Sequence, residues 1–374
     1  MLPRPPASTG LVDSVATASP TDPLEPGTPL DPATLTRHGL VPASNNALYV
    51  TTDGDDIVFS GAHPELPDAV HGPNLYRAEP GNAPALVYEN PRQDSDLLPI
   101  AADAGWVAFA EDNEAQLGDG AWILWLLPPG ASEPIELDRR AADTGGPYPL
   151  VALNERHVVW QAITVAEAGS RATLVHLELR SMARRVLRAD DPERYQWWDP
   201  ALDGDRLVYT EVDYVHGDAS SPSRPAELYA MLLDLSDPDA EPVRLDTSGR
   251  ATEPAIAGDV VAWKEADNVF AWGTLTLHSL ASGETRSIVT TPQGGLKTPS
   301  VGNRYVAFWG IDDTEFYVYD ILRDEMVPIF QLAPDSPIGG AFRAEVAGDL
   351  LVWVQGTDAG PVIGWGRLPT VDDP

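Results

Sequence analysis

The side chains best suited to chemistry fall at matching positions of seven similar segments. Asp199 and Glu253 stand ten residues ahead of Tyr209 and Trp263, Arg343 stands ten ahead of Trp353, and Lys297 stands eleven ahead of Phe308. Tyr148, Trp197 and Trp198 flank this set, while Glu111, Glu211, Lys264 and Glu265 follow an aromatic within two residues. Two carboxylates at a suitable separation do general acid and base work on a glycosidic bond. Carboxylates opposite cations instead pair with one another or hold water, which gives a polar funnel. A tryptophan beside such a funnel either stacks on a saccharide or wedges into a core, because large aromatics supply much buried area. Side chains alternate along an extended segment, so Trp197 and Trp198 point opposite ways, one toward packing and one toward solvent.

Other routes to chemistry are thinner. With no cysteine, disulfides, thiolate metal sites and cysteine nucleophiles are all absent. His176 and His278 fall in third strands of their segments and His157 in a hairpin, where structural roles are expected. His216 shares the stretch from Asp213 to Arg224 with Asp218, and a metal there would need ligands converging from one loop. No H-E-x-x-H, phosphate-cradling glycine loop, dinucleotide fingerprint or EF-hand loop occurs. No cofactor and no metal are expected.

The charge balance narrows the partners. The 374 residues carry 24 Lys and Arg against 57 Asp and Glu, a formal charge of −33. Such a surface repels phosphate backbones and anionic headgroups, so nucleic acid and anionic membrane are poor partners. No apolar run reaches the roughly 18 to 20 residues that span a bilayer. Residues 1–32 are rich in Pro, Ser, Thr and Asp, a composition that solvates an extended chain and builds no core. They are expected to form a disordered linker ahead of a domain over 33–374. Linkers of this kind often follow a removed export signal, so an extracellular or periplasmic location is expected even though this chain shows no signal.

The elements that position the candidate residues come from a repeat. PALDGDRLVY, PAIAGDVVAW, PSVGNRYVAF and AEVAGDLLVW align without gaps, and VTTDGDDIVF, IAADAGWVAF and VALNERHVVW fit the same frame more loosely. The terminal aromatics Phe59, Phe109, Trp160, Tyr209, Trp263, Phe308 and Trp353 are 50, 51, 49, 54, 45 and 45 residues apart. That spacing suits four-stranded propeller blades. Within each copy a short apolar strand meets a turn such as Gly204-Asp205, Gly258-Asp259, Gly302-Asn303 or Gly348-Asp349, then a second, nearly continuous apolar strand. Gly and Asn tolerate positive φ, so these read as hairpin turns. The acidic residues there are turn formers first. A third and a fourth strand follow in most copies, but the last copy lacks a clear fourth strand. Ala33-Thr34-Leu35-Thr36-Arg37 resembles the missing one and would close the ring. The fold expected is an all-β, seven-bladed β-propeller of four-stranded antiparallel blades, with six blades plus an extra hairpin as the alternative.

The P-x-[I/V/L]-x-G-[D/N]-x-[V/L]-[V/A]-[W/F/Y] hairpin followed by a Leu-Tyr type strand resembles the TolB-like β-propellers and the related repeats of bacterial and archaeal cell-surface proteins. The likeness covers about residues 33 to 369. It implies a periplasmic or surface propeller that binds something. The leading α/β domain of TolB is missing, and seven copies replace its six blades. The same propeller type precedes the catalytic domain of prolyl oligopeptidase-like peptidases, but no G-x-S-x-G elbow occurs, and a serine hydrolase on that plan is excluded.

In a propeller the start of each innermost strand lies at one mouth of the central channel. The ligand-binding set expected there is Tyr148, Trp197, Trp198, Asp199, Glu211, Glu253, Lys264, Lys297 and Arg343. The role expected is a non-catalytic binding module for a protein or polysaccharide ligand, at the channel mouth or the loops. A polysaccharide-active glycosidase or lyase using the mouth carboxylates is one alternative, and a structural cell-surface component is the other.

Overall fold

In the computed structural model of the chain, residues 37–41, 49–61, 72–92, 95–112, 121–140, 149–166, 169–187, 195–214, 226–267, 273–288, 297–309, 315–331, 343–357 and 360–369 are described. They form seven four-stranded antiparallel sheets arranged as a seven-bladed β-propeller. The expected linker over 1–32 lies outside the described residues.

The chain enters with β1 (Arg37–Leu40) and then builds the blades in order. Blade 1 holds β2 (Val50–Thr52), β3 (Ile57–Gly61), β4 (Asn74–Ala78) and β5 (Ala85–Glu89). Blade 2 holds β6 (Asp96–Asp103), β7 (Trp106–Asp112), β8 (Trp122–Leu127) and β9 (Ile135–Arg140). Blade 3 holds β10 (Val151–Leu153), β11 (His157–Ala166), β12 (Gly169–Glu178) and β13 (Ala183–Leu187). Blade 4 holds β14 (Tyr195–Asp203), β15 (Arg206–Asp213), β16 (Glu227–Asp234) and β17 (Val243–Arg244). Blade 5 holds β18 (Ala251–Ala257), β19 (Val260–Glu265), β20 (Thr274–Ser279) and β21 (Thr285–Ile288). Blade 6 holds β22 (Lys297–Val301), β23 (Tyr305–Trp309), β24 (Glu315–Asp320) and β25 (Glu325–Gln331). Blade 7 holds β26 (Arg343–Ala347), β27 (Leu350–Thr357) and β28 (Gly360–Arg367), and β1 completes it.

The repeat aromatics explain why the sheets stand side by side. All seven sit at mid-strand in the second strand of their blades and are 5% exposed or less. Each belongs to a different apolar cluster, and each cluster bridges two neighbouring blades: Phe59 joins blade 1 to blade 7, Phe109 joins 2 to 1, and so on round to Trp353, which joins 7 to 6. A single blade cannot cover both faces of a continuously apolar strand, so each blade is covered by its neighbours and the closed ring leaves none with an open face.

Closure comes from β1 pairing with β28, with Arg37 opposite Arg367 and Leu40 opposite Gly364. The closing strand therefore begins where the expected stretch 33–37 ends, and residues 33–36 are not among those described. Val41 anchors this later register. It is 4% exposed in the cluster between blades 7 and 1, and its N–H donates to Ile363 O at 2.9 Å. The hairpin turns follow the glycine argument at Gly204, Gly258 and Gly348, whose φ values are 57°, 55° and 60°. Gly302 is required for a different reason: a Cβ there would sit 2.4 Å from Gly348 O of the next blade.

Candidate functional site

The seven inner strands β2, β6, β10, β14, β18, β22 and β26, with the turns that follow them, surround a central channel of about 1100 Å³. Along its height the lining is Ala, Val, Leu, Ile and Pro, with charge concentrated toward the ends. Asp199 and Glu253 lie where β14 and β18 approach one mouth. Asp53, Asp55, Asp103, Glu155 and Asp203 lie at the hairpin turns of the other, and Glu345 stands on β26 between. Among the described lining residues there is no lysine, arginine, histidine or aromatic.

Asp199 and Glu253 are delivered by matching irregularities. In blade 4 the pairing jumps from Trp198–Thr210 to Ala201–Val208, so Asp199 and Pro200 together face Tyr209. In blade 5 it jumps from Thr252–Lys264 to Ala255–Ala262, so Glu253 and Pro254 face Trp263. Proline lacks the N–H a ladder needs and is accommodated at such bulges. Both carboxylate residues have left-handed backbones, φ 52° at Asp199 and 53° at Glu253. That conformation is uncommon for residues other than glycine and costs on the order of 1–2 kcal/mol each. The strain re-aims the acids of two consecutive blades at the channel.

Their surroundings differ. Thr210 and Thr252, both fully buried, hold their Oγ1 atoms 3.4 and 3.5 Å from Asp199 Oδ2. The Glu253 N–H donates to Thr210 Oγ1 at 3.2 Å, tying blade 5 to blade 4. Burial, reinforced by the neighbouring Glu253 charge, pushes the Asp199 carboxyl up to about 7, with Lys264 and the hydrogen bonds opposing. Lys264 is 0% exposed and its Nζ donates to Glu253 Oε1 in a short ion pair. One carboxyl of the pair is therefore held well above the usual carboxylate range while the other is fixed against a buried cation.

The remaining residues expected at the mouth go elsewhere. Trp197, 3% exposed, packs in the cluster between blades 3 and 4, and its Nε1 reaches Glu211 Oε2 at 3.4 Å. Trp198 is half-buried, with Nε1 donating to Gln196 Oε1 at 3.3 Å. Glu211 is buried behind the wall and lies 3.8 Å from Arg244. Glu111 is likewise buried, bonded to Arg92, Asn90 and Trp125. None of these four lines the channel, and neither does Lys264, which acts from behind Glu253. Lys297 and Arg343 begin β22 and β26, but their side chains, like Tyr148 and His216 as a whole, are not among the parts described. The aromatic wall expected for a sugar funnel is thus not found in the described lining.

The acids at the turn mouth were legible only as turn formers, and several do serve that role. Asp53 Oδ1 accepts the N–H groups of Asp55 and Asp56 at 3.1 and 2.7 Å. The same turns bring Asp53, Asp103 and Glu155 of three successive blades near one another: burial, then the Asp53 and Glu155 charges, raise the Asp103 carboxyl. Extending the ten-residue frame through its turn would have flagged this second acidic mouth. Among the described residues no three His, Asp or Glu side chains assemble as a metal-ligating group.

Solved structures of similar fold are found at low sequence identity. A prolyl endopeptidase studied for inter-domain dynamics in catalysis and specificity superposes with a TM-score of 0.58 at 13% identity, over 87% of this chain and 50% of that one. A Mycobacterium tuberculosis puromycin-hydrolyzing peptidase gives 0.54 at 15% identity, over 94% and 58%. This chain therefore spans little more than half the length of either. The β-propeller domain of the Trilobed protease from Pyrococcus furiosus gives 0.56 at 12% identity, over 88% and 99%. That domain has an open velcro topology, whereas here β1 zips onto β28. No protein-family model and no curated protein sequence matches the chain. At these identities the likeness is one of fold: the chain is a seven-bladed β-propeller with an acid-lined channel.

Proposed function

We propose that this chain is a non-catalytic, TolB-like binding propeller, secreted or periplasmic, whose channel takes a basic segment of a protein or other cationic polymer. One observation carries the reading: the channel lining holds eight carboxylates and, among its described residues, no basic side chain. Low-dielectric walls carrying one sign of charge focus the potential inside a cleft, and the net charge of −33 adds to it. The volume of about 1100 Å³ is at or beyond the upper end of small-molecule pockets, roughly 300–1,000 Å³, which favours a segment of chain over a single metabolite.

Titration calorimetry with a Lys/Arg-rich decapeptide, a Glu-rich decapeptide and a neutral oligosaccharide tests the reading. Binding of the basic peptide alone, weakened by salt and by Glu253→Gln, is expected. Binding of the oligosaccharide with no response to the basic peptide would refute it. The contrast between Asp199, whose carboxyl is pushed up first by burial, and Glu253, which is ion-paired with Lys264, also supports a second reading, since two carboxyls in different environments can divide acid and base roles on a glycosidic bond. Release of reducing ends or unsaturated products from a polysaccharide, lost in Glu253→Gln, would favour that reading over the first.

A further inference from the structure

A second titratable constellation sits away from the Asp199–Glu253 pair, at the seam between blades 3 and 4. His157 and His176, 3% and 4% exposed, meet Nδ1 to Nε2 at 3.0 Å. His176 Nδ1 receives Arg185 Nε–H at 3.1 Å, and His157 Nε2 lies 2.9 Å from Asp205 Oδ1 in blade 4. A guanidinium only donates and a carboxylate only accepts, so the direction of the chain is fixed. His176 accepts at Nδ1 and donates from Nε2 to His157 Nδ1, and His157 donates from Nε2 to Asp205. With both rings neutral, every contact in this chain has one donor and one acceptor.

The chain joins two blades, and other bonds cross the same seam. Arg156 pairs with Asp205 at 2.6 Å, Asn154 Nδ2 donates to Gly204 O at 2.7 Å, and Arg185 Nη2 reaches Leu235 O at 3.4 Å. The charged groups facing the rings are Arg156, Glu178 and Arg185 from blade 3 and Asp205 from blade 4. One extra proton upsets the order wherever it lands. On His157 Nδ1 it faces the His176 N–H, and if His176 switches tautomer to accept it, the His176 Nδ1–H then faces Arg185.

We propose that the Arg185–His176–His157–Asp205 chain is a proton-operated latch that holds blades 3 and 4 together at neutral pH and loosens that seam on acidification. The seam includes Leu153, Asn154 and Glu155 on one side and Asp203 and Gly204 on the other, all of which line the channel, so release reshapes its turn mouth. Burial, then the neighbouring His157 and Arg185, pushes His176 down to about 4, against Glu178, which pulls the other way. A base whose folded pKa lies below its free value contributes stability that is present above about 6.5 and is lost as pH falls toward 4. The inference does not depend on what the channel binds.

Hydrogen exchange, corrected for intrinsic rates, tests the latch between pH 7.5 and pH 5. Opening of β11–β13, which carry both rings and lie outside the strand that holds Asp199, should rise by up to about thirtyfold relative to the other blades, the factor expected for a ring that titrates near 6.5 when free and near 4 when latched. His176→Gln keeps one acceptor and one donor and takes up no proton, so it should flatten that rise. A uniform response across all blades, or an equal rise in His176→Gln, overturns the proposal. Should the variant fold poorly, ¹⁵N-histidine NMR of the wild type decides: an unprotonated His176 Nδ1 that persists to pH 5 is expected, and a protonated Nδ1 at pH 7.5 refutes the chain.

Discussion

Replacing Asp199 by Asn should stabilise the protein, and by an amount that depends on pH. The carboxyl lies on the channel wall with its pKa raised from 3.8 to about 7, first by burial and then by Glu253. Between these values the folded state holds a proton that the unfolded chain has lost, so stability falls as pH rises through the window. Taken in full, the shift gives a penalty of about 4 kcal/mol at pH 8, about 2 at pH 5 and under about 1 at pH 4. Asparagine resembles the protonated acid and tolerates the left-handed backbone at φ 52°. Its carbonyl still accepts from Thr210 and Thr252, and its amide can donate toward Glu253. Urea denaturation of wild type and variant at pH 8, 6.5 and 5 should therefore show a gain of about 2 to 4 kcal/mol at pH 8 that shrinks by at least half at pH 5. A gain that does not change with pH, or a loss at pH 8, would show that Asp199 is not held against its charge. The same variant should bind a basic peptide less tightly, as expected where a strained, charged site trades stability for function.

Two further outcomes follow from neighbouring contacts. Lys264→Met leaves Glu253 without its buried partner and should cost about 3–5 kcal/mol in chemical denaturation, whereas Lys264→Met with Glu253→Gln should recover most of that loss. Equal instability of the single and double variants would mean that packing of the lysine stem, not the charge, is at stake. Gly364→Ala places a Cβ 2.2 Å from Trp353 Cε2 and should cost about 1–3 kcal/mol through overpacking, seen as a lower midpoint with an unchanged m-value.

The repeat made the ring legible because the packing requirement recurs. Every second strand needs a large aromatic for its neighbour, so Phe59 through Trp353 report blade number directly. The closing strand was legible in kind but not in position: the expected stretch 33–37 and β1 share only Arg37, and Val41, buried between blades 7 and 1, marks where the chain enters the ring. Side-chain direction at the mouth was harder. Counting back ten residues assumes strict alternation, and the bulges at Asp199-Pro200 and Glu253-Pro254 break it. The count reached the two acids that line the channel, and of the two places open to Glu211 and Lys264 on the adjoining strands, facing the opening or packing behind it, the structure shows the second. Trp197 could be placed only by the seam it fills between blades 3 and 4.

Departures from the repeat are where chemistry concentrates. Position by position the seven blades solve one packing problem, so a residue that differs without improving packing needs another reason. Directly after the aromatic, blades 1, 2 and 7 carry Ser60, Ala110 and Val354, all small or aliphatic and 4% exposed or less. Blades 3, 4 and 5 carry Gln161, Thr210 and Lys264, each 0% exposed. Burying polar groups is costly unless they are bonded: Thr210 and Lys264 bond the mouth acids Asp199 and Glu253, while Gln161 Nε2 reaches Trp197 O at 3.5 Å across the seam between blades 3 and 4. The two left-handed acids occur in this same sector, and the histidine chain ties its first two blades. On the binding role proposed above, blades 3 to 5 would be the side of the channel that meets the ligand.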